Sequence, residues 1–271
     1  MMTTEIRIRP ALAHEGLALA KVAAAAFLDD PFDSYMYPAR KEHYRSYQRI
    51  YQQKIDSHIN QSLCWVMVAD VTTQVRDKDG NISYEGAAPA AYAIWTRESA
   101  RKRKDTQRRL EVLGLRDPTA GVSLTQRFKK RILRCGLIEA LRERSNPTLL
   151  VDKKRFGAFW GGLGDNSSID DDYDDAAGLT ASDSEWERDE YWHLQDLAVA
   201  PEFRRRGAAK ALLKWGQGWA RLENVPILLE STPMGKPLYE GAGFQQHGTW
   251  EWGDKPDMAW HMMRWHPSVA T

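Results

Sequence analysis

Apolar positions recur along the chain with two periods, and the switches between them mark out the elements. Glu5-Ile6-Arg7-Ile8-Arg9 alternates as a strand does and stops at Pro10. Glu15 to Leu28 is alanine-rich with apolar residues at helical spacing, which predicts a first helix. Asp29 to Pro38 (DDPFDSYMYP) breaks the pattern and reads as a proline-bounded loop dense in aromatics and acids. Helical spacing returns from His43 to His58, with Tyr44, Tyr47, Ile50 and Tyr51 on one side. Ser62 to Thr73 and Ala88 to Trp95 are strand-like, and the turn-rich Asp77-Lys78-Asp79-Gly80-Asn81 between them predicts an antiparallel hairpin.

The second half carries the strongest signal. His193 to Val199 reads as a strand, with Leu197 and Val199 at period two, and Ala200-Pro201 ends it. A basic turn containing Arg204, Arg205, Arg206, Gly207, Ala208 and Ala209 leads into a helix with Ala208, Leu212, Trp215 and Trp219 at spacings of three and four. Backbone N–H groups at a helix start lack intrahelical partners and sit at the positive end of the macrodipole, so this turn suits an anion. Gly207 and the small Ala209 would let a pyrophosphate approach the main chain, and the arginines add charge. Pro226 to Glu230 then reads as a buried strand. Gly235 to Gly243 is a short helix closed by glycine, and Gln245–Trp252 and Met258–Trp265 are two further strands.

Between Arg97 and about Arg188 the periodicity is replaced by charge. The first part is basic (Arg101 to Arg134), the middle, Thr125 to Arg144, has helical apolar spacing, and an acidic stretch follows around Asp170 to Asp175. Solvated surface is the plain reading of both. A nuclear-import signal for the basic block and a lid over a neighbouring site for the whole insertion are the sharper ones. Over 271 residues the charges nearly cancel, 38 basic against 37 acidic, so no overall field calls for nucleic acid or an anionic membrane. Two cysteines, Cys64 and Cys135, sit apart beside apolar residues, which argues against a disulfide framework or a zinc site. With no long apolar run, a cytoplasmic protein is expected, nuclear import remaining open. The eleven tryptophans are expected mostly in the core.

Together, L-x-V-x-P-x-x-R-R-R-G-A-A (Leu197 to Ala209) and L-Y-E-x-x-G-F (Leu238 to Phe244) resemble the GNAT superfamily of acyl-CoA-dependent N-acyltransferases. The resemblance is carried by Tyr191 to about Gln245. It implies one α/β (α+β) domain over residues 1–271, with a mixed, mostly antiparallel twisted sheet flanked by helices and an insertion at about 98–188 between the third and fourth strands. It also implies acetyl-CoA as co-substrate, with its pantetheine arm beside Leu197, Ala198 and Val199 and its pyrophosphate on the Arg204–Ala209 turn. Tyr239 stands where the family often carries a tyrosine near the thioester sulfur, and a phenol is protonated at neutral pH. His193, Asp196 and Glu230 compete as the group that takes the amine proton. His193 falls where some members place a strand glutamate and shares strand parity with Leu197 and Val199. Asp196 has the opposite parity and reads as structural. The segment between the first strand and the helix pair commonly lines the acceptor site in this family, which points to Phe32, Asp33 and Tyr35. No metal is implied.

The leading expectation is acetyl transfer to a primary amine of a small molecule by direct attack on the thioester, by a monomer or homodimer. Two alternatives stand beside it: an acetyltransferase for protein lysines or N-termini, and a non-catalytic acyl-CoA sensor. A nucleic-acid-binding role for Arg101 to Arg134 sits poorly with the balanced net charge.

Overall fold

Seven strands form one sheet in the order β1-β2-β3-β4-β5-β7-β6 in the computed structural model, which describes residues 3–59, 61, 63–76, 82–98, 190–251 and 258–267. The strands are β1 Thr3–Pro10, β2 Cys64–Arg76, β3 Ile82–Glu98, β4 Tyr191–Val199, β5 Ile227–Ser231, β6 Gln245–Glu251 and β7 Ala259–Trp265. The helices are α1 Gly16–Ala26, α2 Pro31–Met36, α3 Tyr44–Ile59, α4 Ala208–Glu223 and α5 Lys236–Glu240. Every neighbouring pair is antiparallel except β4 and β5. The sheet is therefore mixed and mostly antiparallel, the expected class. The expected insertion falls almost wholly outside the described residues.

Both faces of the central strands are covered, which explains why β2 and β3 read as nearly continuous apolar runs. Val66, Val68, Tyr92, Ile94 and Ala198 pack with α1 and α3 on one face. Met67, Ala69, Ala93, Trp95, Trp192 and Leu194 pack with α4 on the other. Trp95, Trp192 and Trp265 are buried, as core tryptophans should be, whereas Trp219 is 45% exposed.

Two sequence expectations change. The DDPFDSYMYP loop contains a helix, α2: Asp30 caps it, its carboxylate accepting from the Phe32 (2.9 Å) and Asp33 (3.4 Å) amides, and Pro31 takes the first turn. Cap and proline are both start signals, but six residues are too few to show a period. On α4 the buried stripe is Ala208, Leu212, Gly216 and Ala220 rather than Ala208, Leu212, Trp215 and Trp219. A Cβ on Gly216 would lie 2.4 Å from the Trp95 ring, so the missing side chain is what lets helix and sheet close together there. Trp215 is displaced to the edge, against Trp95 and Trp192.

Candidate active site

The parallel join between β4 and β5 is short. Trp192, His193 and Leu194 pair with Ile227, Leu228 and Leu229, and beyond that point the strands part. From Asp196 to Val199, β4 keeps its β3 neighbours but pairs with no β5 residue among the described ones, while Glu230 and Ser231 continue to pair with β7. Main-chain groups of Leu197, Ala198 and Val199 thus line a crevice at the carboxyl ends of two parallel strands.

At the point of parting β4 carries a bulge: Leu194 pairs with Trp95 and Asp196 with Ile94, which leaves Gln195 as the extra residue. The extra residue reverses the strand's parity. Trp192, Leu194, Leu197 and Val199 all join the α4-side cluster. His193 and Asp196 fall on the other face, with α3. The expectation that His193 shares a face with Leu197 and Val199 is corrected by this bulge, which a count along the sequence cannot see.

Glu230 lies on the same face as His193. Its Oε2 is 2.8 Å from His193 Nε2, and because a carboxylate only accepts, Nε2 carries the proton. His193 Nδ1 is buried without a hydrogen-bond partner among the described residues. The side chains differ in access, 8% exposed for His193 and 21% for Glu230. Asp196, also 8% exposed, accepts from Lys54 Nζ (2.9 Å) and from the Tyr92 hydroxyl (2.8 Å). Tyr239 on α5 is buried beside Phe244. Burial raises its phenol well above the ordinary range, with the Asp196 and Glu230 charges adding to the effect, so it stays protonated.

The basic turn begins with a single 3-10 turn, Pro201–Phe203, and ends at Gly207, which caps α4 in the left-handed region at φ +94°. Arg205 is also left-handed, at φ +62°. The first amides of α4 are therefore presented by a turn that a chain of ordinary residues would resist. The arginines do not act as a set. Arg204 donates to the Ala26 carbonyl at the end of α1 (2.8 Å), and Arg206 donates to Thr73 Oγ1 (2.9 Å) while lying over the Phe203 ring. Arg205 is exposed. Ala208 is buried in the core and Ala209 is half-buried. Helix-start amides, a glycine where the main chain must be approached and a strand edge with no partner among the described residues all fit a diphosphate joined to an extended, amide-containing arm.

The acceptor-side residues are separated by the fold. Phe32 packs at a tilt against Trp260 of β7, ring centroids 4.7 Å apart, and Trp260 meets Trp250 of β6. Tyr35 is half-buried against the α1–α3 core. Asp33 points inward: it is 5% exposed, and its Oδ2 accepts from the Tyr47 hydroxyl and, at 2.5 Å, from that of Tyr51. Burial, reinforced by the nearby Asp30 charge, pushes its carboxyl up to about 7. Sequence reasoning missed Lys54, His58, Tyr92 and Gln195. The signal was present on α3, where Tyr47, Tyr51, Lys54 and His58 follow helical spacing. Among the described residues, no three His, Cys, Asp or Glu side chains are grouped to hold a metal ion.

Comparison with known proteins bears on the fold that carries this geometry. The family model described as the acetyltransferase (GNAT) domain matches residues 169–246. The chain carries a GNAT acetyltransferase domain. A solved polyamine N-acetyltransferase from Drosophila melanogaster, 12% identical, superposes over 97% of this chain and 100% of its own with a TM-score of 0.52, so the GNAT fold is shared. Other solved structures aligned are a Corynebacterium glutamicum protein titled as histone acetyltransferase HPA2 and related acetyltransferase (17% identity, 98% of each chain, TM-score 0.49) and the PaiA N-acetyltransferase of Thermoplasma acidophilum in complex with coenzyme A (9% identity, 97% of this chain and 99% of that one, TM-score 0.44). None of the curated proteins matches the chain. A GNAT acetyltransferase domain takes acetyl-CoA as its acyl donor.

Proposed function

We propose that this GNAT enzyme acetylates the primary amine of a small molecule by direct attack on the thioester. In that reaction the amine nitrogen bonds to the acetyl carbon and the carbon–sulfur bond breaks. One proton leaves nitrogen and one reaches sulfur. Supporting the reading is one observation above the rest: β4 and β5 separate at Leu194, and the partly accessible Glu230 carboxylate stands on the β5 side of the opening.

Glu230 takes the amine proton, directly or through one water. His193, buried behind it, holds the carboxylate through Nε2–H and acts as a positioning residue, because its shielded Nδ1 is closed to an incoming amine. Tyr239 gives its proton to the departing thiolate. Its raised affinity for that proton keeps the phenol loaded at every working pH. Leu197, Ala198 and Val199 offer main-chain hydrogen bonds to the pantetheine arm, and the amides from Arg206 to Ala209 receive the diphosphate, with Arg205 free to swing toward it. The Phe32–Trp260–Trp250 rings favour a cationic amine with a flat or apolar body. The fold shared with a polyamine N-acetyltransferase agrees with a small acceptor.

Acetyl-CoA titration followed by thiol release over a panel of small amines and lysine peptides tests this. Turnover on small amines is expected. Turnover on peptides alone, or binding without turnover, overturns it.

A further inference from the structure

One stripe of α3 reaches both elements that frame the proposed acceptor site. Tyr47 and Tyr51 hold Asp33 of α2, and one turn further on Lys54 and His58 hold the two side chains of the β4 bulge. A regular strand sends consecutive side chains to opposite faces. Here the bulge sends Gln195 and Asp196 to the same face, and α3 meets each with a specific partner. Lys54 Nζ donates to Asp196 at 2.9 Å, both groups being largely shielded from solvent, and Tyr92 donates to the same oxygen from β3. His58 Nδ1 donates to the Lys54 carbonyl (2.6 Å), which leaves Nε2 as an acceptor for the Gln195 carboxamide 3.0 Å away. The other end of that amide meets the Thr96 hydroxyl at 3.1 Å. This satisfies every group only if the amide turns its NH2 toward the imidazole and its oxygen toward Thr96. Burial pushes the His58 pKa down, in keeping with a neutral ring.

We propose that Lys54 and His58 are positioning residues for acetyl transfer, clamping the β4 bulge through Asp196 and Gln195 and so fixing the main chain of residues 195–197 at the mouth of the β4–β5 crevice. The proposal rests on the reading that transfer takes place in that crevice. Neither residue touches the reactants. They act by setting where β4 stops following β5, and catalysis is steep in such placement, a misfit of about 1 Å costing on the order of a hundredfold in rate.

The test compares Lys54→Met, Lys54→Arg, Asp196→Asn and the Lys54→Met/Asp196→Asn double variant in steady-state kinetics and acetyl-CoA calorimetry. Lys54→Met is expected to lower kcat about tenfold or more while the acetyl-CoA Kd moves less than about threefold. Lys54→Arg should recover most of the rate, and the double variant should be no slower than the slower single one, because the two residues act as one unit. A folded Lys54→Met with wild-type kcat, or losses that multiply in the double variant, overturns the proposal. Should Lys54→Met fail to fold, the milder His58→Gln gives the same reading: a kcat loss at constant Kd is expected, and an unchanged kcat refutes the clamp. Amide hydrogen exchange separates this failure from failure of the functional reading. Faster exchange at residues 195–197 in the Lys54→Met or His58→Gln protein is expected whether or not any amine is turned over, and unchanged exchange rules the clamp out.

Discussion

Tyr239 and Asp33 are both buried oxygen acids whose protons are held more tightly than in water, yet they bear on different properties. For Tyr239 the bound proton is what the proposed chemistry uses. Tyr239→Phe should lower kcat by about 10² or more, a usual contribution for a positioned acid, with little change in acetyl-CoA affinity, as measured by steady-state kinetics and calorimetry. A full-rate variant would remove the assignment. For Asp33 the consequence is stability. Its carboxyl is raised from an ordinary 3.8 to about 7, so the folded state binds a proton that the unfolded chain releases. That contribution is fully present below about pH 4 and fades as pH climbs toward 7 and beyond. Thermal melts across pH 5 to 8 should show Asp33→Asn losing less stability with rising pH than the wild type. A parallel pair of curves would mean that Asp33 does not titrate in this range.

At the scale of elements, α4 and its entry turn make the sharpest claims. A Cβ at Gly216 would lie 2.4 Å from the Trp95 ring, whereas a Cβ at Gly218 meets nothing within 4 Å. Gly216→Ala should therefore cost about 1–3 kcal/mol through overpacking. Gly218→Ala should be neutral or stabilising by up to about 1 kcal/mol, because the helix gains propensity with no clash. Urea unfolding of the two variants checks the contrast. Gly207 combines a φ of +94° with Ile6 Cδ1 3.3 Å from any added Cβ, so Gly207→Ala should both destabilise the protein and weaken acetyl-CoA binding, read by calorimetry. These elements also show what could be read from the sequence. The strand–turn–helix of β4 and α4 was legible because its glycine, prolines and apolar periods all agree. The exact face of α4 was not, because two tryptophans outweigh a glycine in any hydrophobic count, although the glycine lies in the buried stripe and the tryptophans flank it. The parity of His193 was hidden by one extra residue in β4, and α2 by its brevity. Lys54 and His58, the α3 partners of Asp196 and Gln195, lie about 140 residues upstream, a separation that no local pattern spans.

Among the described residues, four antiparallel strands and a three-stranded antiparallel group are joined within the sheet by the parallel pairing of β4 with β5. A ligand seated at that junction would bind the folded state alone. Acetyl-CoA at 100 times its Kd should add about 2.7 kcal/mol to the unfolding free energy, seen as a higher Tm, while a ligand bound elsewhere on one group should leave junction amides unaltered. Among the described residues, three ladder rungs and the His193–Glu230 hydrogen bond span the two strands there. The two groups are in effect book pages sewn by a few stitches, and whatever slips between them becomes part of the binding. The protein empty of its donor is then expected to breathe along the spine, and to fall quiet there when the donor arrives.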